Sequence, residues 1–475
     1  MKSVAADLNR QFFRGNLVSL ILGIFQSLVI VAVNLVISWL LQQILDIASG
    51  EQVNYTLLQL VYVSLGIVGV IVFAMAINYH AVPKFLAKAM AQYKNYVYET
   101  LSKKSISAFN AENTSTYISA LSNDANTIET DYLANIFNLN TQIMLFAGAF
   151  IMMLCYSPVL TLVSVILTLI PIIASVLAGG KMAKAEEEVS RKNQSFINTL
   201  KDSLVGFSVI KSFKAERQMC KLISESVCRA EDAKCKRRKI SITIEALGLT
   251  AGYIAQIGVF IVGAWMAISG RGVTAGVVIL FTQLMNFVTM PVSQVPQMLA
   301  KKKAAKALIN KLASALTENV REERDDADSV IRDGITMKNV TFSYDGKKKV
   351  LSDFNCFFAK GKSYALVGGS GSGKTTILNL LMGGNDYFDG EILYDDKEIR
   401  AISSKSLYDL VSLVQQNVFV FNNTIINNIT MFNDFDAEAV KKAVDMSGLS
   451  ELVRERGEQF LCGENGSGLS GGEVC

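Results

Sequence analysis

Histidine is nearly absent from the 475 residues: His80 stands alone, too few for a histidine-built metal centre. The seven cysteines (Cys155, Cys220, Cys228, Cys235, Cys356, Cys462 and Cys475) are scattered, with no C-x-x-C pair. That spacing suggests neither a zinc site nor a disulfide framework and leaves free thiols. Charge is sparse too, at 19% of residues against 51% hydrophobic, with a net charge of +4. Nothing in that balance calls for nucleic acid as a partner, whereas the apolar excess calls for a membrane portion. No small-residue cleavage pattern follows the first apolar run, Leu17 to Leu41, despite Lys2, Arg10 and Arg14 ahead of it. The run is also too long for a signal-peptide core and reads as a membrane span.

Five further runs reach the roughly 20 residues that cross about 30 Å of hydrocarbon. They lie near Leu57 to Asn78, Phe137 to Tyr156, Leu160 to Leu177, Leu247 to Ile268 and Val273 to Pro291, which predicts six spans. Lysine and arginine are absent from 42–56 and from the 157–159 turn, and only Arg271 lies in 269–272. Segment 79–136 carries Lys84, Lys88, Lys94, Lys103 and Lys104; segment 180–242 ends in Lys234, Lys236, Arg237, Arg238 and Lys239; Lys301, Lys302, Lys303 and Lys306 follow the last span. Positive charge stays on the cytoplasmic side, so both termini are expected there, in a multi-pass protein of the cell membrane. The two basic loops, each about sixty residues long and poor in glycine and proline, read as helical hairpins reaching roughly 35 to 40 Å below the bilayer. Polar side chains within or beside the spans (Asn34, Asn78, Gln256, Gln283, Asn286, Glu245) either line a cavity or bond neighbouring helices.

Residues 1–312 thus form a membrane domain, a bundle of six transmembrane helices with long cytoplasmic extensions. Residues 313–334 form an acidic linker with almost nothing to bury. From 335 to 475 short strand-like runs (Val340 to Tyr344, Phe354 to Phe358, Tyr364 to Val367, Glu391 to Tyr394, Val411 to Val414) alternate with helical patterns, an α/β arrangement. Its centre is Gly368-Gly369-Ser370-Gly371-Ser372-Gly373-Lys374-Thr375-Thr376, between an apolar run and a helix start. Backbone N–H groups and a positive helix end favour a phosphate chain there; Lys374 would reach the β- and γ-phosphates and Thr375 would ligate Mg2+. Tyr344 offers an aromatic face for a purine, and Gln416 could help hold the metal or place water. A second small-residue segment, Gly463 to Glu473, offers another anion site at a helix start. One phosphate chain does not need two such sites, so the second is expected to serve a nucleotide held by another copy.

These motifs in order resemble the ATP-binding cassette (ABC) transporters of the exporter type, in which a membrane domain is fused ahead of a nucleotide domain. The resemblance covers nearly the whole chain. It rests on Val340 to Tyr344, on Gly368 to Thr375, on Gln416 to Phe421 with Asn423 to Ile429 after it, and on the signature Leu469-Ser470-Gly471-Gly472-Glu473, where Glu473 replaces the usual glutamine. In the membrane domain, Thr116 to Asp124 looks like the segment around the first coupling helix, and Asp202 to Glu216, with Gly206, Phe207, Lys211 and Phe213, like the second cytoplasmic element. The resemblance implies ATP and Mg2+ as cofactors, an unidentified exported substrate, and a homologous or identical second half-transporter whose Ser470 and Gly472 cover the ATP held by Tyr344, Lys374 and Thr375. It also implies a strand ending in Asp-Glu and a later histidine, neither of which follows Lys374 within these residues. The nucleotide domain therefore reads as partial, and the chain as written is expected to hydrolyse ATP poorly. The alternative expectation is a nucleotide-binding, hydrolysis-deficient membrane subunit.

Overall fold

The computed structural model describes residues 2–104, 106–110, 112, 114–317, 330–344, 346–414 and 418–474. They divide into two compact units, one of residues 1–104 with 112–318 and the other of residues 105–111 with 319–475.

The first unit is helical. α1 (Lys2–Phe13) buries Leu8 and Phe12 completely. It turns at Asn16, whose Nδ2 donates to the Phe85 carbonyl at 2.8 Å, while Lys88 Nζ and Gln92 Nε2 reach the carbonyls of Gly15 (2.6 Å) and Arg14 (3.1 Å). α2 (Leu17–Ala48) and α3 (Leu57–Ser102) follow, the latter opened by a capping box between Thr56 and Gln59. The short helices α4 (Ile106–Asn110), α5 (Thr114–Leu121) and α6 (Asn123–Ile128) lead through a π-helical turn, Glu129–Ala134, into α7 (Asn135–Tyr156). Of these, α4 belongs to the second unit.

Ser157 caps α8 (Pro158–Val205), with proline at the first helical position where its missing N–H costs nothing. α9 (Phe207–Ser212), α10 (Glu216–Ile268) and α11 (Ala275–Thr317) complete the unit. α11 continues five residues past the expected start of the linker because Ala313, Ala315 and Leu316 are buried. Residues 318–329, most of the acidic linker, lie outside the described residues.

Among the described residues five helices are long and apolar enough to span a membrane: Leu17–Ala48, Leu57–Ser102, Thr116–Tyr156, Glu216–Ile268 and Ala275–Thr317. The remaining expected span falls in α8, whose shorter apolar stretch is Pro158–Leu169. Large apolar side chains such as Ile21, Val72, Leu162 and Ile261 are about 60% exposed, as lipid-facing positions must be. Both tryptophans sit at the span ends opposite the long helical extensions. Trp39 meets Tyr55 edge-on, with centroids 5.4 Å apart, and Trp265 lies 4.2 Å beneath the Arg271 guanidinium, an interfacial belt at the end with little positive charge. Gln256 donates to the Thr282 carbonyl of α11 (3.2 Å), whereas Asn34 donates to Ile30 of its own helix (2.8 Å).

At the same end Asp46 of α2, 3% exposed, accepts the Gly276 N–H (2.9 Å) and so caps α11, while Gln42 bonds Asp46 and receives the Tyr156 hydroxyl (3.2 Å). A Cβ on Gly276 would stand 2.4 Å from the Gln42 carbonyl oxygen, so the two backbones meet only because this residue is glycine. Gly276→Val is expected to destabilise the bundle by about 1–3 kcal/mol. A lowered melting midpoint in nanodiscs checks it, and an unchanged midpoint contradicts it.

In the second unit, β1 (Gly334–Phe342), β2 (Leu351–Ala359), β3 (Asp389–Tyr394) and β4 (Lys397–Glu398) form an antiparallel sheet in the order β2-β1-β3-β4. Ile335 stands opposite Phe358 on one side and Tyr394 on the other. Two expected strands do not form. Tyr364 to Val367 and Val411 to Val414 are irregular, with Val367 92% and Val414 85% exposed. An apolar run becomes a strand only when a neighbour satisfies its backbone, and neither run has a ladder partner among the described residues.

The sheet's edge holds the chain's point of entry. Asp395, at the β3–β4 turn, accepts the backbone N–H groups of Arg332 (2.8 Å), Asp333 (2.8 Å) and Gly334 (3.0 Å). These donors, the Arg332 amide foremost, hold its carboxyl below the usual carboxylate range. A depressed folded pKa adds stability that is present above the unfolded value and is lost as pH falls through the folded one. Asp395→Asn should therefore lower the melting midpoint at pH 7, by about 1 kcal/mol for so exposed a group. The gap from the parent should close in acid; an equal gap at pH 7 and pH 3 would show that the charge is not responsible.

Candidate functional site

The nucleotide-type loop is shaped by its glycines. Gly371 and Gly373 have φ of +78° and +90°, a backbone that β-carbon residues rarely adopt, and Gly373 caps α12 (Lys374–Leu381). A side chain built at Gly369 or Gly371 would meet nothing within 4 Å, so the loop's outer face is open. At Gly373 it would strike Leu351 Cδ2 at 2.9 Å, so the inner face is closed against β2. Lys374 curls over the loop, Nζ donating to the carbonyls of Gly368 (2.8 Å) and Gly369 (2.9 Å) and to Ser372 Oγ (3.4 Å). The Thr375 side chain is exposed beside it, and Ser370 lies on the exposed rim. Ile377 and Leu380 anchor α12 in the sheet's core with Met337, Val340, Ile392 and Tyr394.

Tyr344 is brought to this loop, its hydroxyl 3.2 Å from Oγ1 of the buried Thr376. Its ring is edge-on to Phe342 (4.8 Å) and 61% exposed, leaving a free aromatic face. Gln416 lies outside the described residues, as do its two neighbours.

The second segment is separate. No hydrogen bond or ring contact joins Leu469–Glu473 to Gly368–Thr376 among the described residues. α17 (Gly471–Val474) starts after Ser470, whose N–H donates to the Glu473 carboxylate (2.5 Å). That contact, from Ser470, and the nearby Arg456 hold the Glu473 carboxyl below its ordinary range. Glutamate three residues past a capping serine closes a helix start as glutamine would. Leu469 packs on the small core of Val420, Ile425, Leu452 and Cys462.

Two organising residues were missed from sequence. Asn428, in α14 (Ile425–Thr430), which follows α13 (Ser404–Leu410), accepts the Phe421 N–H (2.8 Å) and donates to the Phe421 carbonyl (3.1 Å), clamping the chain at Phe421. Arg456, at the end of α16 (Ser450–Arg456), after α15 (Ala437–Met446), lies over Phe460 (4.9 Å) and donates to the Gly468 carbonyl (2.6 Å), steadying the approach to the signature. Asn428 stands within Asn423 to Ile429, so that stretch was the available signal; for Arg456 there was none.

A multi-helix membrane unit followed by a phosphate-loop unit defines a membrane protein with a fused nucleotide-binding domain. Residues 20–292 match the ABC transporter transmembrane region and residues 351–474 match the ABC transporter domain, so the chain belongs to the ABC transporter family. Among relatives, it is 25% identical to the ABC transporter ATP-binding protein exp8 of Streptococcus pneumoniae, over 79% of this chain and 65% of that protein. It is 26% identical to the ATP-dependent lipid A-core flippase of Photorhabdus laumondii, over 81% of this chain and 67% of that one. The chain thus spans about two thirds of the length of these relatives. The fold matches a solved bacterial Atm1-family ABC exporter with ATP bound, at a TM-score of 0.78 and 19% identity, covering 98% of this chain and 83% of that one.

Proposed function

We propose that this chain is one half of a dimeric, ATP-driven exporter of the cell membrane, with both termini and the nucleotide unit in the cytoplasm. The observation that carries the ATP site is the glycine loop with an open outer face at the start of α12. Gly368, Gly369, Ser370, Gly371, Ser372 and Gly373 would offer backbone N–H groups to the phosphates, Lys374 would exchange its loop carbonyls for phosphate oxygens, and Tyr344 would stack on the adenine. Mg2+ keeps most of its shell as water and phosphate oxygen, so one exposed hydroxyl, Thr375, with Gln416, suits it; bound there it would offset phosphate charge. Thr376 positions Tyr344 from beneath.

Two observations support a second copy. The signature segment, Leu469 to Glu473, has no hydrogen bond or ring contact to its own phosphate loop among the described residues. The tip of the second cytoplasmic hairpin exposes Leu204, Val205, Phe207, Val209 and Phe213, each 57% or more, a patch that asks for a cover. Closure of two copies around ATP would couple nucleotide binding to the membrane helices by favouring one arrangement of the bundle. Native mass spectrometry from nanodiscs in Mg-ATP tests this. Two copies with two nucleotides are expected, and a monomer retaining its nucleotide would defeat the shared site.

A further inference from the structure

The arms of the second cytoplasmic hairpin, α8 and α10, run side by side and are tied by Glu186 and Arg237, whose Nη1 lies 3.1 Å from the carboxylate. Further from the membrane they part around a cleft of about 400 Å³ lined by Arg191, Lys192, Ser195, Ser226 and Arg229. Its lining is three cations and two hydroxyls, with no carboxylate.

The cations have partners within reach and do not use them. Glu187, Glu188 and Glu225 each stand four residues ahead of Arg191, Lys192 and Arg229, the favoured order for an ion pair along a helix. No ion pair or hydrogen bond forms between them among the described residues. Ser226 is the second, independent observation. It is 4% exposed, lines the cleft, and its hydroxyl has no hydrogen-bond partner among the described residues. Its oxygen opens onto the cleft and so is available to a ligand there. Convergent guanidinium, ammonium and hydroxyl donors around an open volume match one chemistry, a multiply charged oxyanion.

We propose that this cleft is a binding site for a soluble phosphate-bearing anion, distinct from the glycine loop. A lipid headgroup is disfavoured by position. Arg191 lies ten residues beyond Lys181, the first charge after the apolar part of α8. At about 1.5 Å per residue that is roughly 15 Å further into the cytoplasm. An anion bridging Arg191 and Lys192 on α8 to Arg229 and Ser226 on α10 would tie the two arms together at their middle.

Inorganic pyrophosphate is the probe, titrated calorimetrically into the full chain in phosphatidylcholine nanodiscs. The background is Lys374→Ala, so that the glycine loop does not contribute. Binding is expected in this background. It should weaken at least tenfold in Arg191→Gln/Arg229→Gln, the loss of two charge-assisted contacts. Ser226→Ala should give a smaller loss with the fold unchanged. Replacing phosphatidylcholine with phosphatidylglycerol should leave the affinity unchanged. Absence of binding in the Lys374→Ala background overturns the proposal, as does equal affinity in the double arginine variant. Competition by phosphatidylglycerol would assign the cations to lipid and overturn it too. Because ATP binding through Lys374 is removed at the outset, failure here leaves the ATP site untouched.

Discussion

Lys374→Ala should reduce ATP affinity by roughly 100-fold or more while leaving the melting midpoint of the protein almost unchanged. The size follows from two charge-assisted contacts to phosphate, each contributing about 1.5 to 3 kcal/mol, with every 1.4 kcal/mol worth tenfold. The separation of binding from stability follows from the structure. The Lys374 ammonium is bonded to carbonyls of Gly368 and Gly369 on an exposed loop. Water can replace it there, so its removal leaves no buried group unpaired. Two measurements on one preparation suffice, fluorescent-nucleotide titration and thermal unfolding. A variant that melts like the parent and still binds ATP like the parent would remove the glycine loop from the proposed mechanism.

Length and periodicity made much of the membrane unit readable in advance. An apolar run that matches the hydrocarbon thickness has few alternatives, and the Ser157-Pro158 helix start is local chemistry. What sequence concealed was made at a distance. α1 read only as a basic flank, because the burial of Leu8 and Phe12 depends on helices arriving much later in the chain. Asp46 capping α11 joins residues 230 apart, and neither Asp46 nor Gly276 carries a local sign of the other. In the second unit the glycine loop was legible because Gly371 and Gly373 answer a backbone demand stated locally by positive φ. Tyr364 to Val367 misled for the opposite reason: an apolar run states a willingness to be buried, not the presence of a neighbouring strand. Arg456 was invisible since its work is done on a carbonyl twelve residues away in a loop.

The largest structural effect is expected from Tyr394→Ala, a loss of about 3 to 5 kcal/mol from the nucleotide unit. Tyr394 ends β3 at 4% exposure, in the core that holds Ile377 and Leu380 of α12. Its hydroxyl has a separate task. The last carbonyls of a helix lack intrahelical partners. At the end of α12, Leu378, Asn379 and Leu380 give theirs to the N–H groups of Met382, Gly384 and Gly383, and Leu381 gives its carbonyl to Tyr394 at 2.5 Å. Burial pushes the phenol well above its ordinary pKa, which keeps it a neutral donor. Tyr394→Phe isolates that bond and should cost only about 1 to 2 kcal/mol, the worth of one buried hydrogen bond whose acceptor is left unpaired. The ring therefore holds the helix to the sheet, and the hydroxyl fixes its end. Because α12 opens with Lys374 and closes at Leu381, a sheet that loses Tyr394 also loses its hold on the loop. ATP affinity should fall with stability in Tyr394→Ala and stay near the parent value in Tyr394→Phe. Chemical denaturation of both variants, with nucleotide titration beside it, separates the two contributions; parent-like unfolding of Tyr394→Ala would mean that α12 is held by something other than this sheet.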